Sequence, residues 1–124
     1  MNGRFVLDTN AVIALLNGDA GLAAMLKSAT WVAIPIIVEL EFLSFPNLSK
    51  NDEQLFLQFK SRVEVIGLDA INTALTQRIV EIRRNTGIKL PDAIIAAAAI
   101  ENNATLLSND AVFQRLPNLD WSQF

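Results

Sequence analysis

The chain has 124 residues, 52% of them apolar, with 10 basic and 13 acidic side chains and a net charge of −3; this is about one domain's worth of chain, with ample apolar residues for one core. It has no Cys, His or Tyr, which excludes disulfides, thiol nucleophiles, His/Cys zinc sites and Ser-His-Asp triads. Catalysis is left to carboxylates, Lys, Ser or Thr and a bound metal, and the acidic balance is unlike that of a protein that binds nucleic acid by neutralising phosphates alone.

In chain order, Arg4–Leu7 reads as a short strand that runs at once into Asp8, and Asn10 opens an apolar helical pattern to about residue 17. Asn17-Gly18-Asp19 breaks it, with Asp19 as the cap of a second helix to about Lys27. Trp31–Ile34 is a strand, followed by a helix from about Pro35 to Phe45 that Pro46-Asn47 stops. Asn51 or Asp52 caps a helix to about Arg62, and Val63–Ile66 is a strand by its β-branched content. Asp69 caps a long helix, about 70–85, ended by Gly87, and Leu90-Pro91-Asp92 starts the next, with proline in its first turn. That helix, apolar almost all round through Ala93–Ile100, is expected to be buried and to end at Asn102-Asn103. Thr105–Leu107 is a strand, Asp110–Arg115 a short helical turn, and Leu119–Trp121 a last edge strand. Strands alternating with helices predict a parallel sheet covered on both faces, in one domain spanning 1–124.

The longest apolar runs, Trp31–Val38 and Ala93–Ile100, are eight residues each, short of the roughly 18 that a membrane span needs. The first residues do not have the pattern of a secretory signal. With no cysteine present, the cytoplasm is the expected location.

Several acids sit at element ends or among apolar residues. Asp8 ends the first strand, Asp110 lies just past the strand Thr105–Leu107, and Asp92 is in the first turn of the most apolar helix. Glu39 and Glu41 lie in the helix after Trp31–Ile34. All fall at or near the C-terminal edge of a parallel sheet. If the first and fourth strands are neighbours, that edge has a topological switch point between Asp8 and Asp110. A helical wheel puts the two glutamates in two different gaps between apolar arcs, and it does not say which gap faces a cleft. Structural roles exist for most of them: Asp92 suits the helix dipole, Asp110 can be a plain cap, and either glutamate can pair with a lysine. Asp8 is harder to explain that way, since Asn10 would cap at least as well. Acids that converge uncompensated raise one another's pKa, and a divalent cation removes the repulsion. Oxygen-only ligands suit Mg²⁺ or Mn²⁺.

The blocks FVLDTN, IPIIVELEFLSF, LPDAIIAAAA and LLSND..F resemble, in order and spacing, the signature blocks of the PIN-domain nucleases. In size the chain is similar to the single-domain toxins of VapBC toxin–antitoxin pairs. The resemblance implies a PIN-like three-layer α/β/α fold, with a central, mostly parallel sheet of four to five strands. It places the family's first, third and fourth acids on Asp8, Asp92 and Asp110, with Thr9 and Asn10 beside the first and a hydroxyl at Ser108. An ungapped alignment puts the second acid on Glu41 rather than Glu39, with Phe45 where the family usually has glycine. The activity implied by the resemblance is that of a Mg²⁺- or Mn²⁺-dependent endoribonuclease. Asp8, Asp92 and Asp110 would hold metal, Glu41 would ligate or act as acid and base, and the products would carry 5′-phosphate and 3′-hydroxyl ends. Thr9, Asn10 and Ser108 would support the site. Arg78, Arg83, Arg84 and Lys89, a short basic run before the Asp92 block, are candidates for RNA phosphates. A homodimer and a cognate antitoxin are the expected partners, a basic antitoxin tail suiting an acidic toxin.

Four of the seven Phe residues, Phe42, Phe45, Phe56 and Phe59, fall in one helical hairpin. Phe56 and Phe59 are the candidates for contact with an antitoxin helix. Other readings fit less well. FVLDTNAV is similar to the first motif of haloacid-dehalogenase phosphatases, but Asn10 stands where that motif has its second acid and the chain lacks room for a cap. A receiver-like signalling domain needs an acid pair after the first strand, and Asp8 has no acidic neighbour. A PIN scaffold that binds RNA or protein without cutting is the remaining alternative, and the intact acidic set weighs against it.

Overall fold

A computed structural model of the protein describes residues 2–124. Five strands, β1 (Arg4–Leu7), β2 (Trp31–Pro35), β3 (Glu64–Ile66), β4 (Thr105–Leu107) and β5 (Trp121–Ser122), form one sheet in the order β3-β2-β1-β4-β5. Every pairing is parallel. Six helices cover it: α1 (Thr9–Leu16), α2 (Ala20–Lys27), α3 (Ile36–Leu43), α4 (Lys50–Lys60), α5 (Thr73–Thr86) and α6 (Leu90–Glu101), with a short 3-10 helix at Ala111–Arg115. This is the expected α/β architecture. Val6, Leu7, Ile34, Leu106 and Leu107 are fully buried, as befits parallel strands with helices on both faces.

From β1 the chain order runs outward through β2 and β3 on one side and reaches β4 and β5 on the other. The reversal falls between β1 and β4, where crevices form at the C-terminal ends of strands. Asp8 and Ser108 are the first residues past those two strands. The buried run of α6, Ala93–Ala99, packs against the sheet; its small side chains let the helix lie close.

Some boundaries differ from expectation. Asp8, not Asn10, caps α1, its carboxylate accepting from the Thr9 N–H. Ser49 caps α4 through the Asp52 N–H, and Asn72 caps α5 through the Leu75 N–H. In both, more than one capping residue lies within four positions of the helix start, and the one chosen is set by where the chain arrives from the preceding element. Helix α3 ends at Leu43, with Ser44 as its C-cap, before Pro46 is reached. Gly87 closes α5 at φ 69°, a left-handed turn that glycine adopts without penalty. Among the described residues no single helix is long and apolar enough to cross a membrane; α1 and α2 reach that length only as a pair bent by 103°.

Candidate active site

Asp8 is only 6% exposed, and its position follows from the backbone. The Asp8 N–H continues the β1–β4 ladder by donating to the Leu107 carbonyl at 3.1 Å, while the Asp8 carbonyl receives the first bonds of α1 from Ala11 and Val12. The residue is therefore held from both sides. Its side chain accepts three bonds: Thr9 N–H to Oδ1 at 2.7 Å, Ser108 Oγ–H to Oδ2 at 2.7 Å, and Asn10 Nδ2 to Oδ2 at 3.2 Å. With two donors on Oδ2 and one on Oδ1, the remaining acceptor capacity lies on Oδ1.

Ser108, also fully buried, has a hydroxyl with no choice of orientation. Its oxygen accepts from Asn10 Nδ2 at 3.2 Å and from the Asp110 N–H at 3.0 Å. Both neighbours are donors, so the single hydroxyl proton goes to Asp8. The Asn10 amide is oriented in turn by the Asn109 N–H, which donates to its Oδ1 at 3.0 Å. Asp110 caps the 3-10 helix through the Val112 N–H at 3.0 Å. Capping and membership of the site are thus compatible at both Asp8 and Asp110.

The two glutamates of α3 separate cleanly. Two residues along a helix turn the side chain by about 200°, so they face nearly opposite ways. Glu39 turns toward α4 and pairs with Lys60 at 2.7 Å. Its Oε1 is buried without a well-aligned hydrogen bond, so this contact is an ion pair held by charge rather than by direction. Glu41 turns toward α1 and accepts from Thr9 Oγ1 at 2.9 Å.

Burial raises the Asp8 pKa above the ordinary 3.8; the Ser108 and Thr9 bonds pull it back, and the charges of Glu41 and Asp110 push it up further. Asp92, half-buried, is raised first by desolvation and then by Asp110, Asp8 and Glu41, against a small opposing pull from Lys89. The four carboxylates thus feel one another's charge at the C-terminal edge of the sheet. Among the described residues none of them joins an ion pair, and no three acids stand close enough to form a ready-made cation cage. The carboxylates thus lie near enough to feel one another's charge without forming such a cage, and Glu41 is held by the Thr9 hydroxyl. An oxygen-only donor set with spare capacity on Asp8 Oδ1 and four uncompensated charges suits a hard divalent cation.

The other candidate residues divide. Arg78 lies against Glu101 (3.3 Å) and Glu81 (3.6 Å). Nine residues of helix put Glu101 about 13 Å from Asp92, so Arg78 belongs to the far end of α6 and not beside the acids. Arg83 donates to the Ile88 carbonyl, bracing the turn that leads into α6. Arg84 is exposed near that turn, and Lys89 immediately precedes α6. Phe56 is completely buried and stacks on Phe42, with centroids 4.7 Å apart. It is core and not surface, and Phe59 is partly covered. The exposed apolar side chains of the hairpin are Leu40, Leu43, Phe45 and Leu57. A polar start to α4 does not say which of its Phe residues meets the core.

Sequence reasoning missed Asn109 and Trp121. Asn109 stood inside the LLSND block without a role. The Trp121 indole N–H donates to the Ser108 carbonyl at 2.8 Å, a contact between distant residues that no local signal announces.

Fold and site together define a class: a parallel α/β domain with uncompensated carboxylates at its switch point. The family model of the PIN domain matches residues 5–119, and the chain belongs to the PIN-domain family, placing it among nucleases. Comparison with curated proteins finds no match. Among solved structures, the chain is similar to VapBC2 from Rickettsia felis bound to a DNA fragment from its promoter, at 29% identity and TM-score 0.81, with 98% of each chain covered. It is also similar to a toxin–antitoxin complex from Klebsiella pneumoniae (26% identity, TM-score 0.74, 92% of this chain and 93% of that one). In fold it resembles VapBC-1 from nontypeable Haemophilus influenzae (23%, TM-score 0.75, 97% of each).

Proposed function

We propose that the chain is a divalent-cation-dependent endoribonuclease and the toxin of a toxin–antitoxin pair, acting in the cytoplasm. The observation that carries this reading is Asp8: a buried carboxylate at the switch point, raised in pKa by burial and by its acidic neighbours. The likeness to toxin–antitoxin complexes supports the biological role.

Asp8, Asp92 and Asp110 are the residues to hold the cation, with Glu41 at the rim. When bound, Mg²⁺ or Mn²⁺ supplies charge neutralisation at phosphorus and a nucleophile of lowered pKa. The chain's own residues do the rest. Ser108 and Asn10 hold Asp8 Oδ2 and so present Oδ1. Glu41, fixed by the Thr9 hydroxyl, is exposed enough to take and return a proton at its carboxylate. Lys89, whose charge acts on Asp92, and the exposed Arg84 are the basic side chains to meet substrate phosphates; Arg78 has no part. The antitoxin covers the exposed apolar residues Leu40, Leu43, Phe45 and Leu57 of the α3–α4 hairpin, with the active form a homodimer.

The test is cleavage of single-stranded and structured RNA by purified protein with Mn²⁺, with Mg²⁺ and in EDTA. Cleavage that needs either cation, stops in EDTA and is lost in Asp8→Asn is expected. Full activity in EDTA removes the reading.

A further inference from the structure

Strand β5 is two residues long and pairs only with Leu106 and Leu107. So short an edge has little register of its own. Two side-chain bonds hold it on Thr105 and Ser108, and just beyond it the Phe124 N–H donates to Asn109 Oδ1 at 2.9 Å. At its start, the buried Thr105 hydroxyl donates to Asp120 Oδ2 at 2.7 Å. From its first residue, the Trp121 indole N–H donates to the Ser108 carbonyl, past the end of β4, at 2.8 Å. Of these, only the Trp121 bond acts directly on Ser108. Ser108 is the residue whose hydroxyl proton is committed to Asp8 Oδ2, and its N–H is also taken by β5, donating to the Ser122 carbonyl at 3.2 Å.

We propose that Trp121 is a positioning residue for the acidic site: by holding the Ser108 carbonyl it fixes the β4 exit turn, and with it which oxygen of Asp8 stays open to a cation. The inference rests on the cation-dependent reading above. Ser108 is fully buried, so without the indole its carbonyl lacks that partner and the turn gains by rotating toward another. Rotation carries the hydroxyl off Asp8 and displaces the Asp110 N–H, which shares the same oxygen. Contacts one step beyond the ligands commonly set cation affinity in this way. The other tryptophan, Trp31, lies in β2 on the far side of β1, its indole N–H donating to Glu64 Oε2 and the Arg4 guanidinium 4.2 Å from its ring centroid. It does not share the relay.

Three variants and three readouts test this without RNA. Trp121→Phe keeps the ring and removes the donor; calorimetric titration with Mg²⁺ and Mn²⁺ is expected to show affinity weakened by about tenfold or more. Thr105→Val loosens the same strand through Asp120, without touching Ser108, and is expected to lower the melting temperature while leaving cation affinity within about twofold. Equal losses in both variants, or wild-type affinity in Trp121→Phe, overturn the inference. In cation-free ¹⁵N-labelled protein, the Trp121 indole resonance is expected to move in Ser108→Ala while that of Trp31 stays; an unmoved Trp121 resonance also overturns it. Wild-type protein that binds neither cation removes the cation reading itself, whatever Trp121 does. Normal wild-type binding with undiminished Trp121→Phe binding removes this inference alone.

Discussion

Replacing Asp8 by Asn keeps the shape of the side chain and removes one charge. An amide has one acceptor oxygen where the carboxylate has two. With that oxygen toward Ser108 and Asn10, the new NH₂ meets the Thr9 N–H, and α1 loses the bond its cap supplied. Such a loss costs about 0.5–2 kcal/mol. Against it, the variant no longer buries a charge beside Glu41 and Asp110. The two effects oppose each other, and the net change in cation-free stability at neutral pH is expected to lie within about 1 kcal/mol. Their pH dependence separates them. Because the folded pKa of Asp8 is raised, the folded state binds more protons than the unfolded one above the ordinary 3.8. The wild-type contribution is therefore fully present below that value and is lost as pH rises through the folded pKa. Asp8→Asn lacks this slope, while the similar one from Asp92 remains. Urea unfolding in EDTA across that range reads the difference. Adding Mn²⁺ at a hundredfold its Kd stabilises the wild type by about 2.7 kcal/mol, and the variant is expected to gain little. RNA cleavage is expected to fall on the order of 10³-fold or more. Wild-type cleavage by the variant, or equal stabilisation of both proteins by Mn²⁺, refutes the assignment of Asp8 as a ligand.

Glu41→Gln is expected to cut cleavage by about 10²-fold or more with little change in melting temperature. Glu39→Gln should leave the rate within a few-fold and, since Glu39 is largely buried and Lys60 only partly exposed, cost about 1 kcal/mol or somewhat more; parallel rate and melting measurements decide, and the opposite ranking would exchange the two roles. Ser108→Ala removes a bond that lowers the Asp8 pKa, so the acidic limb of the pH–rate profile should move to higher pH; an unmoved limb counts against the relay. Phe56→Ala empties a fully buried position stacked on Phe42 and should cost about 3–5 kcal/mol. A loss below about 1 kcal/mol in urea unfolding would mean that Phe56 is not in the core.

The elements were legible in the sequence because their signals are local. Apolar runs mark β1, β2 and β4, Asp19 and Asp110 announce caps, and Gly87 and Pro91 punctuate α5 and α6. Asp8, Asp92 and Asp110 stood out because each is an acid at the end of an apolar element. What the sequence left open depends on neighbours far along the chain. Adjacency of β1 and β4 set Asp8 beside Ser108, a hundred residues away. The choice between Glu39 and Glu41 came from the rotation of α3: periodicity shows that the two glutamates face apart, and only packing against α1 and α4 says which meets Thr9 and which Lys60. Phe56 read as surface and proved to be core, while Arg78 read as part of a basic patch and proved to serve Glu101. Local propensity and period are properties of a few consecutive residues; register between strands, helix rotation and ion pairing are settled when separate elements bury their faces together, so only the tertiary structure decides them.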